Sequence, residues 1–393
     1  MNRHSLSLET RSKASQPPGL NPGCDARAPV RAMGWGFGLV RWFIKTRPSA
    51  HQNTLSVPFL TTQEYEPPAW ARHLGQAPRL RVGLGLLPSP LHRWHLGPEL
   101  LPEGVTMWIK RDDLTGMELS GNKVRKLEFL LAEAQRAGHD CVVTIGGVQS
   151  NHCRATAVAA KYLGLPCHLL LRTSRQKVTS DPGLEGNLLV SRLVGATLHL
   201  VTKSEYASVG SAALGEQLVA ELREQGLNPF LIPVGGSNAL GTWGYLQAVE
   251  EIRQQLGCQD ITDIVAACGS GGTTAGLALG SYLSGMKARV HAYGVCDSPD
   301  YFYDFIDGLL EEMAHDLDLA PTSVPAARGL LRAVQAKGLG YAESSEAELQ
   351  TVKAVAEATG VILDPVYGGK ALHGLLHEIR SNPESWRGRK WVV

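Results

Sequence analysis

Apolar residues occur in short runs separated by longer amphipathic stretches, a rhythm that begins near residue 105. The runs at 142–145, 168–171, 198–201, 230–234, 263–267, 288–295 and 360–363 have the length of strands rather than helices. The stretches between them carry helical spacing. Residues 154–163 predict a helix closed by Gly164, and Leu214, Leu218 and Leu222 at i, i+4 and i+8 predict another ending near Gly226. Residues 245–256 before Gly257, and 346–358 before Gly360, read the same way. Strands alternating with helices imply βαβ units and an α/β fold with a mainly parallel sheet.

Parallel sheets bind ligands beyond the carboxyl ends of their strands. Three such ends are rich in small polar residues: 146–151, 235–238 and 269–273. Gly269-Ser270-Gly271-Gly272-Thr273 precedes a helical stretch, where backbone amides and small residues suit a phosphate. The loop is not G-x-x-x-x-G-K-[ST]. It also fails the dinucleotide fingerprint, since Thr274 stands where a glycine is required. A phosphate-bearing cofactor other than a dinucleotide fits it, as does an ordinary glycine-rich turn. Lys123, Arg125 and Lys126 place three cations within four residues at an expected helix start, where they oppose the helix dipole. This points to an anionic partner or a functional lysine with a lowered pKa; a solvated basic turn is the alternative. Asp112 and Asp113 suit a turn or cap. His373 and His377 lie at i, i+4, a weak metal pattern without H-E-x-x-H. Residues 300–304 (Asp-Tyr-Phe-Tyr-Asp) suit either an aromatic core patch or a lining segment.

Composition narrows the class. With 38 Lys+Arg against 37 Asp+Glu, the formal charge of +1 argues against a dedicated nucleic-acid binder. No run of 18 apolar residues predicts a membrane-spanning helix. The 43 glycines against 6% aromatics suit many tight strand-to-helix turns. Seven cysteines without a C-x-x-C read as reduced, buried, intracellular thiols, and no metal site is expected. Residues 1–57 differ, with eight basic residues against Glu9 and Asp25. They resemble an organellar transit peptide, with a short basic amphipathic helix at 33–45, or else a disordered extension. Mitochondrial localisation is the first expectation and cytoplasmic the second.

The ordered motifs resemble pyridoxal-phosphate enzymes of the tryptophan-synthase-β fold, fold type II, and most closely the D-cysteine desulfhydrase and 1-aminocyclopropane-1-carboxylate deaminase group. They are Lys110-Arg-Asp-Asp113, 120–128 (Ser-Gly-Asn-Lys-Val-Arg-Lys-Leu-Glu), 145–154 (Ile-Gly-Gly-Val-Gln-Ser-Asn-His-Cys-Arg), 181–187, 232–245, 267–273, 296–305 and 363–370. The resemblance implies two domains of open, twisted, mainly parallel sheets with flanking helices. The small domain, 119–235, is inserted into a large cofactor-binding domain made of 58–118 and 236–393. It implies pyridoxal 5'-phosphate as cofactor, a small amino-acid substrate and a homodimer. Lys123 would join covalently to the cofactor and exchange the Cα proton. Asn151 would meet the cofactor's phenolic oxygen, and Lys126 with Gly269, Ser270, Gly271, Gly272 and Thr273 would hold its phosphate. Ser150, Asn151 and His152 would face the substrate, Tyr367 the reacting centre, and Tyr341 would be a second active-site tyrosine.

The reaction so implied is β-elimination of D-cysteine to pyruvate, ammonia and hydrogen sulfide. The alternatives are deamination of 1-aminocyclopropane-1-carboxylate or D-serine, and an inactive cofactor-binding or scaffold homologue. Two departures bear on this. The deaminases carry Glu after the tyrosine of Asp-Pro-Val-Tyr, where this chain has Gly368. The desulfhydrases use a threonine from a loop beyond the last strand, and this chain stops at Val393 within that expected strand. The carboxyl end of the large domain is therefore expected to be missing, with no identified partner for the pyridine nitrogen.

Overall fold

The structure, a computed structural model, describes residues 58–72, 77–257, 260–316 and 324–393; the segment 1–57, with the helix expected at 33–45, lies outside the described residues. The chain divides into units 1–50 and 51–393, and the architecture below is that of the second. Four short strands, β1 (Thr62–Glu64), β2 (Leu80–Val82), β3 (Leu91–Arg93) and β4 (Thr106–Lys110), precede helix α1 (Lys123–Arg136). There follow β5 (Cys141–Gly147), α2 (Asn151–Tyr162), β6 (Cys167–Thr173), α3 (Arg175–Thr179), α4 (Gly186–Leu193), β7 (Thr197–Thr202), α5 (Lys203–Val209), α6 (Ser211–Glu224) and β8 (Pro229–Ile232). The rest comprises α7 (Ala239–Leu256), β9 (Asp263–Cys268), α8 (Gly272–Leu283), β10 (Arg289–Gly294), α9 (Pro299–Asp316), α10 (Ala327–Leu330), β11 (Leu331–Gln335), α11 (Glu346–Thr359), α12 (Gly368–Ser381) and β12 (Lys390–Val392).

Two main sheets result. β7-β6-β5-β8 is all parallel and lies within 119–235. β11-β10-β9-β12-β4-β3 lies outside that span and is parallel except for the antiparallel β3–β4 pair. β5 is buried on both faces, as a continuous apolar run in a parallel sheet demands. Val142 packs towards α1 and α2, while Val143 and Ile145 meet Leu214, Leu218 and Leu222 of α6. The expected helical stripe of α6 is thus its buried face. The helices α1 and α7 cross at Gly244, where an added Cβ would sit 2.4 Å from the Arg125 carbonyl oxygen.

The alternating pattern located most elements but not all their limits. α7 starts at Ala239, six residues before the apolar pattern suggests, because the Asn238 side chain caps it by accepting from the Gly241 amide at 2.9 Å. α11 matches its expected span, with a Ser345/Glu348 capping box and left-handed Gly360 as its stop. The strand expected at 360–363 is not formed. Val361 is buried and Ile362 exposed, so the alternation is present without a neighbouring strand to pair it. Asp364 then accepts from the amides of Val366, Tyr367 and Gly368, turning the chain into α12. The aromatic segment at 300–304 belongs to α9, which puts Phe302 in the core and Tyr301 on the surface. Cys141, Cys153, Cys167 and Cys268 are free and buried as expected, and Cys296 is half-buried.

Candidate active site

The site is built where three strand ends meet the start of α1. β5 runs into the 146–150 turn, and the Ser150 hydroxyl caps α2 by accepting from the Cys153 amide at 3.2 Å. The turn folds so closely that a Cβ on Gly146 would lie 2.7 Å from both Ser150 Oγ and Cys153 Sγ. Asn151 opens the helix, and its Oδ1 accepts from Asn187 Nδ2 at 2.9 Å. Asn187 also donates to the Gln149 carbonyl at 2.7 Å, so the 181–187 motif clamps the loop that presents Ser150 and Asn151.

His152 sits beneath this loop. Its Nε2 pairs with the Thr144 hydroxyl at 2.8 Å, and that hydroxyl donates to the Ile232 carbonyl. Burial, aided by the charges of Lys123 and Lys126, holds the imidazole well below its ordinary pKa. The sequence places His152 with the substrate-facing residues; the structure seats its ring under Gly236, whose added Cβ would meet His152 Cε1 at 3.5 Å. One position on from Asn151 the helix has rotated by about 100°, which sets the ring against Thr144 and Gly236.

Lys123 is the first residue of α1, behind Asn122, whose side chain reaches across to Thr273 Oγ1 at 3.0 Å. Its Nζ lies over the 235–237 turn, 3.3 Å from where a Gly235 Cβ would be. Removal from water pulls its pKa down to about 8. One helical turn on, Lys126 is fully buried. Its Nζ donates to the Gly235 carbonyl at 3.2 Å and Ser237 Oγ at 3.3 Å, and Ser237 bonds Ser270 at 2.9 Å. Desolvation first, then the Lys123 charge, hold Lys126 well below its ordinary value. Among the described residues no carboxylate pairs with either ammonium.

The 269–273 loop faces these lysines. Gly271 has φ +73° and begins α8 with no side-chain cap. A Cβ on Gly272 would lie 2.8 Å from Lys126 Nζ, so only glycine leaves the ammonium its place. An uncapped helix start beside a buried, unpaired ammonium is a receptor for a phosphate. A neighbouring amine of lowered pKa is a receptor for an aldehyde. The residues present therefore fit pyridoxal phosphate.

Across the loop, the Tyr367 ring covers Gly269, with Cε1 3.0 Å from an added Cβ. Tyr367 and Tyr341 hydroxyls bond at 2.7 Å. Burial and the neighbouring phenol drive the Tyr367 pKa far above its usual value, so it stays protonated. The structure thus gathers Lys123, Lys126, Ser150, Asn151, Tyr341, Tyr367 and the 269–273 loop around one cleft, with His152 behind it.

Sequence reasoning missed the support for α1. Arg125 is fully buried and makes paired bonds to Asp112 (2.8 and 2.9 Å) and Glu251 (both 2.9 Å), with Ser89 as a further acceptor. Lys110 joins at Glu251, and Tyr245 donates to Asp112. Burial opposes ionisation of Asp112, but Arg125 and Lys110 outweigh it and hold the carboxyl at about 2. Of the three clustered cations, Arg125 is thus internally neutralised and only the two lysines await an anion. The weak i, i+4 histidine pattern is accounted for by structure as well, since His373 bonds Thr351 at 2.8 Å. No group of metal-ligand side chains occurs among the described residues.

Comparison with known proteins agrees with this chemistry. The family model for pyridoxal-phosphate dependent enzymes matches residues 82–393, and the chain belongs to that family. Among its relatives, the bifunctional D-cysteine desulfhydrase/1-aminocyclopropane-1-carboxylate deaminase, mitochondrial, of Arabidopsis thaliana is 55% identical over 336 residues, 84% of this chain and 81% of that protein. A putative 1-aminocyclopropane-1-carboxylate deaminase of Thermotoga maritima is 37% identical over 310 residues, 78% of this chain and 94% of its own length. Among solved structures, an ACC deaminase homologue superposes with a TM-score of 0.71 at 33% identity, covering 83% of this chain and 94% of that one.

Proposed function

We propose that this chain catalyses the β-elimination of D-cysteine, taking up water and releasing pyruvate, ammonia and hydrogen sulfide. The 55% identity to a protein named for that activity carries the reading. Pyridoxal phosphate, when bound, supplies the electron sink that acidifies the substrate's Cα–H. The chain's own residues do the rest. The amine of Lys123, with its pKa brought down to about 8, takes the Cα proton at Nζ. Lys126 and the start of α8 hold the phosphate, and Asn151, fixed by Asn187, orients the ring from its phenolic oxygen. The capped start of α2 at Ser150 receives the substrate carboxylate. Tyr367, kept protonated and oriented by Tyr341, donates a proton to the departing sulfur.

A second reading, deamination of 1-aminocyclopropane-1-carboxylate, is favoured by the Arabidopsis protein's double name. Gly368 stands against it, because it offers no side-chain carboxyl beside Tyr367. Parallel assays on D-cysteine, L-cysteine, D-serine and the cyclopropane acid separate these readings. Equimolar sulfide and pyruvate from D-cysteine, absent in Lys123→Ala, is the expected result; faster release of ammonia from the cyclopropane acid would overturn it.

The basic, acid-poor 1–57 stretch and the mitochondrial label of that relative support import into mitochondria. A reporter fused behind residues 1–57 should then enter the organelle. Exposed Leu86, Leu114 and Met117 support a dimer contact near the bond from the Leu86 amide to the Thr115 carbonyl. Light scattering at twice the chain mass would agree.

A further inference from the structure

One charged side chain near the cleft has no part in the scheme above. Arg172 is the penultimate residue of β6, at the carboxyl end of its sheet. It stands opposite Gly147 in register, and its carbonyl accepts from the Val148 amide at 3.2 Å, beside the turn that presents Ser150. The residue is half-buried, and its guanidinium carbon lies 4.8 Å from the centre of the Tyr206 ring. Among the described residues no carboxylate or hydrogen-bond acceptor pairs with it. Stacking on an aromatic face fixes a guanidinium while leaving its N–H fork free to meet an anion in two-point fashion. Burial raises the Tyr341 phenol, and the bond with Tyr367 and the Arg172 charge offset part of that rise. Tyr341 in turn is bonded to Tyr367 over Gly269.

Two candidate anion receptors therefore stand at the adjacent carboxyl ends of β5 and β6. The start of α2 is one, and Arg172 is the other. A three-carbon amino acid carries its carboxylate at one end and its leaving substituent at the other. We infer that Arg172 is a specificity-determining residue that receives negative charge on the substituent at Cβ, so that the cleft selects small amino acids whose β-substituent is anionic or leaves as an anion. This rests on the β-elimination reading and deepens it, with the thiolate of cysteine as the smallest such group. The electron pair freed at Cα by removal of its proton forms the Cα=Cβ bond as Cβ–S breaks; the Cβ–S pair leaves with sulfur, which takes the Tyr367 proton and departs as hydrosulfide, its remaining charge stabilised by the guanidinium.

The test uses non-reacting probes so that it does not depend on turnover. Malonate has carboxylates at both ends of a three-carbon chain, whereas propionate has one. Their binding to the cofactor-loaded protein is measured by calorimetry for wild type, Arg172→Gln and Arg172→Lys. Malonate should bind wild type about tenfold or more tightly than propionate, through a charge-assisted contact that propionate cannot make. That advantage should vanish in Arg172→Gln and return in part in Arg172→Lys, which restores charge without the planar fork. An unchanged malonate-to-propionate ratio in Arg172→Gln overturns the inference. So does an equal loss for both acids, which would assign Arg172 to the carboxylate they share, and so does malonate failing to bind wild type better than propionate. Absence of sulfide release from D-cysteine, with the malonate advantage intact, would instead remove the β-elimination reading and leave the anion selectivity standing.

Discussion

Replacing Gly244 by alanine adds one methyl group far from any substrate, yet it should reach the chemistry. The added Cβ would lie 2.4 Å from Arg125 O, 2.5 Å from Arg125 C and 2.9 Å from Lys126 N, all backbone atoms of α1. Ordinary contact begins near 3.4 Å, so the two helices must separate by about 1 Å. No side chain can rotate away to absorb this. Overpacking of this kind costs about 1–3 kcal/mol. The displaced element is also the one that carries Lys123 and Lys126, and a shift of about 1 Å in such groups can cost roughly a hundredfold in rate. Gly308 in α9 is the control, because an alanine Cβ there meets nothing within 4 Å. Gly308→Ala should be neutral or slightly stabilising, since alanine is the better helix former. Denaturant midpoints and cofactor uptake followed by visible absorbance provide the assay. Gly244→Ala with the same midpoint and uptake as Gly308→Ala would refute the argument.

Four further outcomes follow from the geometry. Lys123 titrates at about 8 in the folded chain against an ordinary 10.5, so the rate of cofactor capture by the apo-protein should rise through about pH 8. The unfolded chain binds the extra proton between those values, so this group makes apo stability rise with pH from about 8 to 10.5; a capture profile rising only near 10 would contradict it. Arg125→Met should destabilise by about 3–5 kcal/mol in denaturant titration, because it strands the buried Asp112 and Glu251 charges. Asp112 itself, with its carboxyl lowered from 3.8 to about 2, stabilises fully above about pH 4, and that contribution is lost as pH falls through 2; Asp112→Asn should lose this acid transition. Tyr367→Phe should leave cofactor binding intact but cut turnover by about a hundredfold, as removal of a general acid does; an unaltered kcat would exclude the phenol from proton transfer.

Much of the fold was legible because its signals are local. Apolar runs ending in Gly146, Gly235 and Gly269 mark strand ends by composition alone, and the Leu214, Leu218 and Leu222 stripe marks α6. The paired lysines were legible as a conflict: cations at a helix start have no local reason to be there. What could not be read was non-local. Arg125 resembles its neighbours in sequence, and only Glu251, 126 residues away, reveals it as a strut. Arg172 reads as the end of an apolar strand, and the Tyr206 ring that fixes it arrives on helix α5. Residues 360–363 have a strand's apolar run, but a strand also needs a neighbour, which no local pattern encodes. The burial of His152 against Thr144 and Gly236 is non-local in the same way.

The position of β12 also governs the order in which the larger sheet can come into being. It lies between β4 and β9, which do not touch each other. β4 ends at Lys110 and β12 begins at Lys390, 280 residues later. At a synthesis rate of roughly 5–20 residues per second, β4 waits roughly 15–60 s for its neighbour. β4 presents an open edge throughout that interval, and β9, made at Asp263–Cys268, through the later part of it; such edges are the surfaces on which strands from other chains can add. The smaller sheet closes sooner, since β8, the partner of β5, begins 82 residues after β5 ends. During synthesis the molecule is therefore half finished for roughly 8–30 s after β8 is made, with the loop of Ser150 and Asn151 assembled and its opposite wall still open.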